Sequence, residues 1–324
     1  MLERPLPRVL VVTNMYPTPP APMFGIFVAE QVDSLRRRGL DIDVLFVNGS
    51  AGRMAYARGF GMVRRASRAK SYDVIHAHYV FSGIMAMAQR HAPVLLTHHG
   101  IETQRSWTAP LCRWTARRVA RNIATSRRVR DGLGMPGVDI VPCGVDLDLF
   151  RQVPLDEARS ALGLPAQERL VLFAGVRRPE KRFDLVEASV LLLQSKMPGV
   201  RLVVADHEPH ERMPLHMSAC DVLILASEGE GSPMVIKEAM ACNLPIVSVD
   251  VGDVAEVMSG VPGCYLVART PYALAEGLAR AIGFGGRTEG RAAVSSLSLD
   301  ALAVRLEAIY RAVAGDVDAV ERRP

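Results

Sequence analysis

The sequence predicts two doubly wound α/β domains in tandem. Short apolar, β-branched runs recur along the chain, stretches with the 3.6-residue helical period separate them, and the alternation runs through twice. Strands that are apolar throughout must be covered on both faces. Helices between successive parallel strands do this.

In chain order, strands are expected at residues 9–13, 42–46, 74–77, 94–97 and 140–142, then at 170–174, 201–205, 222–226, 246–249 and 264–267. Helical periodicity is clearest over 27–38, 180–196 and 271–282. The alternation breaks near 150–154, after the strand ending at Pro142 and before a helix opened by Asp156. This sets a first domain at 1–152 and a second at 153–297. A last helix, about 298–313, is expected to return to the first domain and to leave 315–324 as a flexible tail.

Composition narrows the function classes. The 324-residue chain is 49% hydrophobic and 23% charged, which suits a buried core and excludes disorder. Aromatics make up only 6%, too few for a base-stacking reader, so no nucleic-acid partner is expected. The five cysteines are scattered and lack a C-x-x-C, which fits a reducing compartment and offers no zinc knuckle. No apolar run approaches a membrane span and the N-terminus lacks a signal-type core, so the expected location is the cytoplasm. Through Phe150 the chain carries 20 Lys and Arg against 11 Asp and Glu; the remainder carries 19 against 23. The basic excess lies at 36–38, 53–70 and 113–130. It is either a solvated arginine-rich surface or one drawn to an anionic membrane face or a lipid diphosphate.

In open α/β sheets ligands bind at the carboxyl ends of strands, so residues just after strands carry the functional weight. The densest cluster is 227–241. There a Gly-rich loop holding Glu230 leads into an apolar helix that Pro233 can open at its first position. Met234 and Val235 then present N–H groups at the positive end of a helix, a phosphate-binding arrangement. Glu238, on that helix, needs a partner, whether a protein cation or a pair of ligand hydroxyls. After an earlier strand, Gly175 permits a tight turn and Arg177, Arg178, Lys181 and Arg182 follow, a set of cations suited to a diphosphate or simply a basic surface loop. In the first domain, one of His98 and His99 must point toward the strand-end crevice, unless the pair is a core element bonded to backbone. His76 and His78 share a strand face, but no third ligand completes a metal set, and no metal is expected. The proline-rich stretch 14–27, with Gly25 opening a helix, is long enough for a flap over an acceptor. No G-x-G-x-x-G follows the first strand, and no G-x-x-x-x-G-K-[ST] occurs. Asp41-Ile-Asp43 and Asp146-Leu-Asp148 match D-x-D, a pattern that chance supplies readily.

These clusters, in this order, resemble glycosyltransferase family 4 over nearly the whole chain. Glu230 and Glu238 match the family's E-x7-E spacing, continued by Ala239-Met240-Ala241 and Leu244-Pro245-Ile246-Val247. Pro142-Cys143-Gly144-Val145-Asp146 with Phe150 matches its linker signature, Cys143 standing where Asn is usual. Asp73-Val-Ile-His-Ala-His78 and Thr97-His-His-Gly100 match its first-domain motifs. The resemblance implies a GT-B fold, two Rossmann-like domains facing a central cleft, and metal-independent transfer of a sugar with retention of configuration. It implies a UDP- or GDP-sugar donor, a glycan or lipid-linked acceptor and no further cofactor, in the manner of transferases of cell-surface polysaccharide and teichuronic acid. By that likeness Glu238 holds the donor ribose, Glu230 the sugar, Lys181 the leaving diphosphate, and His99 the donor sugar or its phosphate. Gly25 lets its loop approach the donor.

Three departures stand out. Val176 follows Gly175 where the family has Arg, so Arg177 substitutes in a shifted register. Ser232-Pro233 replaces a Phe-Gly pair and removes one backbone donor. Asp206-His207-Glu208 stands in a shortened segment where a Gly-rich turn usually helps to hold the base. Alternatives are an epimerase or phosphorylase on the same fold, or a non-catalytic nucleotide-sugar-binding subunit.

Overall fold

A computed structural model of the protein describes residues 5–49, 52–105 and 107–321. It contains two all-parallel sheets. The first has six strands, β1 (Val9–Thr13), β2 (Ile42–Phe46), β3 (Val74–His78), β4 (Val94–His98), β5 (Arg121–Ala124) and β6 (Val138–Ile140), in the order β2-β1-β3-β4-β5-β6. The second has five, β7 (Arg169–Ala174), β8 (Val200–Ala205), β9 (Val222–Leu225), β10 (Ile246–Ser248) and β11 (Cys264–Leu266), in the order β11-β10-β9-β7-β8. This is the doubly wound architecture expected.

The chain divides into two compact units. One runs to Pro142 and takes in the closing helix from Leu299; the other is Cys143–Ser298. The division falls ahead of the break at 150–154 because Val145 and Phe150 are buried in the core of the second unit. They tie the linker to that sheet. The closing helix runs Leu299–Glu321, past the expected end near residue 313 and through most of the expected flexible tail. Gly315 alone does not stop it, since one glycine costs a helix only about 1 kcal/mol. The end of that tail, residues 322–324, lies outside the described residues.

Alternation along the strands builds the first unit. Val9, Val11, Val74, Leu95 and Ile123 face one side, where Val28, Val32 and Leu35 of the Ile26–Arg37 helix and Leu302, Leu306 and Tyr310 of the closing helix cover them. Leu10, Val12, Ile75, Ala77 and Leu96 face the other side, against Val63 and Met85.

The strand β5 was not expected from the sequence, and β6 lies slightly upstream of its expected position. Arg121 and Asn122 make β5 look polar. Its Arg121 pairs with Asp139 of β6 at 2.7 Å, and Asn122 donates to the Ala116 carbonyl at 2.8 Å. These polar groups are consumed by neighbours that a one-dimensional pattern does not reveal.

In each sheet the strand order reverses at one place, between β1 and β3 and between β7 and β9. Loops leaving the carboxyl ends of those strands diverge to opposite faces and open a crevice. These crevices locate the candidate residues. No helix among the described residues is long and apolar enough to cross a membrane.

Candidate active site

In the second unit the loops after β7 and β9 flank the switch point. Gly175 takes φ +130°, a conformation that L side chains avoid, and turns the chain out of β7. A short 3-10 turn, Pro179–Lys181, follows, and then the Phe183–Lys196 helix. Glu228 N–H donates to the Glu180 carbonyl at 2.8 Å, which stitches the two loops together by backbone. Across this seam Lys181 Nζ lies 2.6 Å from Glu230 Oε1, with both side chains largely but not wholly buried. Arg182 pairs with Glu228 at 2.9 Å on the outer side. Arg177 does not join this group. Its Nε bonds Asp206 Oδ2 at 3.2 Å at the end of β8, and its guanidinium lies over the Phe183 ring.

The β9 loop enters the Met234–Ala241 helix through Pro233. Met234 and Val235 sit in its first turn, where backbone N–H groups have no partner inside the helix and the dipole is positive. Glu238 is buried on this helix, 7% exposed. The neighbouring residue was undervalued by sequence reasoning. Lys237 is fully buried, and its ammonium lies 2.8 Å from Asp253 Oδ2 and 2.6 Å from Ser232 Oγ. The Ser232 hydroxyl donates to Asp253 Oδ2 at 2.7 Å and accepts from the Cys143 N–H at 3.1 Å. Ser232 is thus the hub that anchors the Glu230 loop. The signals that could have found it are a lysine on an apolar helix and a Gly-Asp pair after a strand. Gly252 is required there: at φ +57°, an added Cβ would lie 2.5 Å from the Gly231 carbonyl oxygen.

In the first unit Gly25 sits at φ +73° and starts the Ile26–Arg37 helix. A Cβ would come within 2.4 Å of the Met15 backbone, so only glycine lets the 14–25 loop close on itself. Of the two histidines at the end of β4, His98, the last strand residue, is the core one. It bonds Asn122 at 3.1 Å, and burial lowers its pKa to about 4. His99 is half-buried. Its ring stacks on Tyr79 with centroids 4.6 Å apart and packs against Phe27, and its Nε2 lies 2.9 Å from His78 Nδ1. Its backbone N–H donates to Glu102 Oε1 at 2.6 Å. Burial holds the His99 pKa well below the usual histidine range, so the ring is neutral. Tyr79 reaches this position at φ +71°, a strained backbone for a bulky residue, of the kind found at functional sites. His76 is bonded on both nitrogens, to Tyr310 and to Thr97, each at 2.7 Å.

Comparison with known proteins fits this geometry. Residues 7–149 match the profile of Glycosyltransferase Family 4, and residues 167–283 match that of Glycosyl transferases group 1. The chain matches glycosyltransferase families in both of its units. It is therefore a glycosyltransferase with a GT-B fold. Among curated relatives of this transferase is D-inositol 3-phosphate glycosyltransferase of Mycobacterium tuberculosis. The two are 26% identical over 328 residues, covering 83% of this chain and 68% of the relative. Solved structures of the same fold include sucrose-phosphate synthase from Thermosynechococcus elongatus (TM-score 0.81, 19% identity, 96% of this chain and 100% of that one). HepE from Anabaena, solved in complex with UDP-glucose, superposes with a TM-score of 0.68 at 17% identity, over 97% of this chain and 100% of that one.

Removing one partner of the buried Lys237–Asp253 pair leaves an unpaired charge. Lys237→Met is expected to cost about 3–5 kcal/mol of stability, and the double variant Lys237→Met, Asp253→Asn to regain part of it. Denaturant unfolding measures both. A loss below about 1 kcal/mol in Lys237→Met would show that the pair is not a structural anchor.

Proposed function

We propose that this transferase moves a sugar from a UDP- or GDP-sugar to a hydroxyl of a glycan or lipid-linked acceptor in cell-surface polysaccharide assembly. On this reading transfer proceeds with retention of configuration and requires no metal. The observation that carries it is the convergence of a lysine, a carboxylate and an open helix start at the switch point of the second sheet. The UDP-glucose bound to HepE, a protein of the same fold, supports a nucleotide-sugar donor.

The chemistry follows from charge. As the anomeric C–O bond breaks, the diphosphate oxygen keeps the electron pair and the sugar gains oxocarbenium character. The acceptor hydroxyl oxygen forms the new bond and passes its proton to the departing diphosphate oxygen. Lys181, turned from Glu230 toward the diphosphate, neutralises the leaving group, and the Met234 and Val235 N–H groups add fixed dipoles. Glu230 is then released to accept from sugar hydroxyls. Glu238, farther along the helix, receives the ribose hydroxyls in paired, charge-assisted bonds. Gly25 and His99 border the corresponding crevice of the first sheet, where His99 contacts the sugar or its phosphate. Arg177 is engaged with Asp206 at the end of β8 and would have to leave it to reach the diphosphate.

Lys181→Ala should lower turnover about a hundredfold or more in a protein that still folds, as loss of one transition-state donor typically does. Steady-state kinetics with a panel of UDP- and GDP-sugars tests this, and undiminished turnover removes Lys181 from the site. Glu238→Gln keeps the side-chain shape and weakens only charge-assisted bonds. Nucleotide affinity should drop about tenfold with little change in melting temperature. A large stability loss with normal affinity would instead make Glu238 half of a core ion pair.

A lipid-linked acceptor requires access to a membrane face. Arg58, Arg64, Arg65 and Arg68 are exposed on the Arg53–Ala69 helix, and Met54, Phe60 and Met62 stand among them at 65%, 38% and 40% exposure. The Arg53 side chain, expected to share this patch, lies outside the described residues. Cations beside apolar side chains suit an anionic lipid surface. Sedimentation with liposomes should show binding that needs anionic lipid and weakens with salt. Equal binding to neutral liposomes would refute it.

A further inference from the structure

His78 ends β3 buried, 1% exposed, and closes the Asp73–His78 motif without a role assigned to it so far. Its ring and that of His99 are inclined by only 26°, with centroids 5.2 Å apart. The 2.9 Å contact between His78 Nδ1 and His99 Nε2 therefore lies close to both ring planes, as a hydrogen bond between imidazoles must. In such a bond one nitrogen carries the proton and the other offers its lone pair.

The far nitrogen of His78 decides which. His78 Nε2 is buried and has no hydrogen-bond partner among the described residues. If His99 donated, His78 would carry its proton on Nε2, as a buried N–H donor with nothing to bond. Orphaned buried N–H groups are rare and costly, and unsatisfied acceptors less so. If His78 donates, Nε2 is a bare lone pair, the less costly of the two orphans. His99 Nε2 is then the acceptor, and the proton of the neutral His99 ring sits on Nδ1.

We propose that His78 is a positioning residue that fixes His99 in the Nδ1–H tautomer, so that His99 offers a donor N–H to an oxygen of the sugar nucleotide. This deepens the reading above and rests on its placing His99 against the donor. The rest of the setting agrees. Burial keeps both rings uncharged, and it lowers the His78 pKa to about 3. Tyr79 stacks on the His99 ring, Phe27 packs against it at a tilt of 52°, and Glu102 holds its backbone N–H. The ring cannot swing to exchange its nitrogens without breaking these contacts. A hydroxyl or phosphate oxygen meeting a bare nitrogen would gain no bond from its lone pairs. Meeting Nδ1–H, it gains one. A tautomer set by the partner on the other nitrogen is a general way of aiming a histidine.

The test is long-range proton–nitrogen NMR on full-length protein labelled with 15N-histidine, with His78→Asn and His99→Gln spectra assigning the signals. His78 and His99 are both expected as Nδ1–H tautomers; a His99 ring protonated on Nε2 overturns the proposal. His78→Asn retains an N–H near the Nδ1 position and should keep both the His99 tautomer and turnover within about threefold of the parent. His78→Leu removes the donor. It should mix the His99 tautomers and lower turnover about tenfold or more, with nucleotide affinity less affected. Full turnover in a folded His78→Leu overturns the positioning role. The wild-type spectrum decides the tautomer even if that variant does not fold. Full turnover in His99→Ala with the expected tautomers overturns the donor-contact reading and leaves the tautomer assignment standing.

Discussion

A lysine ammonium with no exposure to solvent is the constraint around which the second unit is arranged. Burying a lone charge is prohibitive, so Asp253 must arrive at Lys237 and Ser232 must complete the shell. Each of these comes from a different loop. Asp253 follows β10, Ser232 follows β9, and the Cys143 N–H that bonds Ser232 begins the unit. Satisfying one ammonium therefore fixes the start of the unit, the glycine-rich loop and the following helix against one another. The Glu230 loop inherits a defined position from this buried cluster.

The two units handle charge in opposite ways. The second brings ionised groups together at its switch point. Lys181 and Glu230 are held 2.6 Å apart and retain some exposure. Neither charge of the pair is sealed from solvent. The first unit keeps its strand-end histidines neutral. His76, His78, His98 and His99 lie deep enough that burial suppresses protonation, and their order comes from hydrogen bonds between uncharged groups. A neutral ring can act as donor or acceptor, and which it does is a property of its neighbours. Tyr310, arriving from the closing helix, bonds His76 beneath this cluster. The last helix is thus part of the support for the first-unit crevice.

Reading the sequence from one end located most strands and the two strand-end loops of the second unit that come together at its switch point. Continuous apolar runs announce buried parallel strands, and their ends announce where ligand-facing loops begin. β5 escaped because Arg121 and Asn122 satisfy Asp139 and the Ala116 carbonyl laterally, and lateral partners leave no periodic mark. Arg177 was placed on the diphosphate because it follows Gly175. In the fold it is held at Asp206, since β8 ends beside it.

Local chemistry determined the elements, the glycine positions and the kinds of charge near each strand end. Gly25 and Gly252 must be glycine because backbone passes where a side chain would stand, and the residue type alone hints at that. Pairing was decided only by the tertiary structure. The Lys237 and Glu238 carriers of charge are adjacent in sequence, yet they point in different directions from one helix. Lys237 has its partner sixteen residues on, across two loops and a strand. Likewise, His78 and His99 are separated by a helix and meet only because β3 and β4 are neighbours in register. Periodicity records which face of an element is buried. What a buried polar group bonds to depends on strand order and on the paths of loops, and those exist only once the sheet has formed.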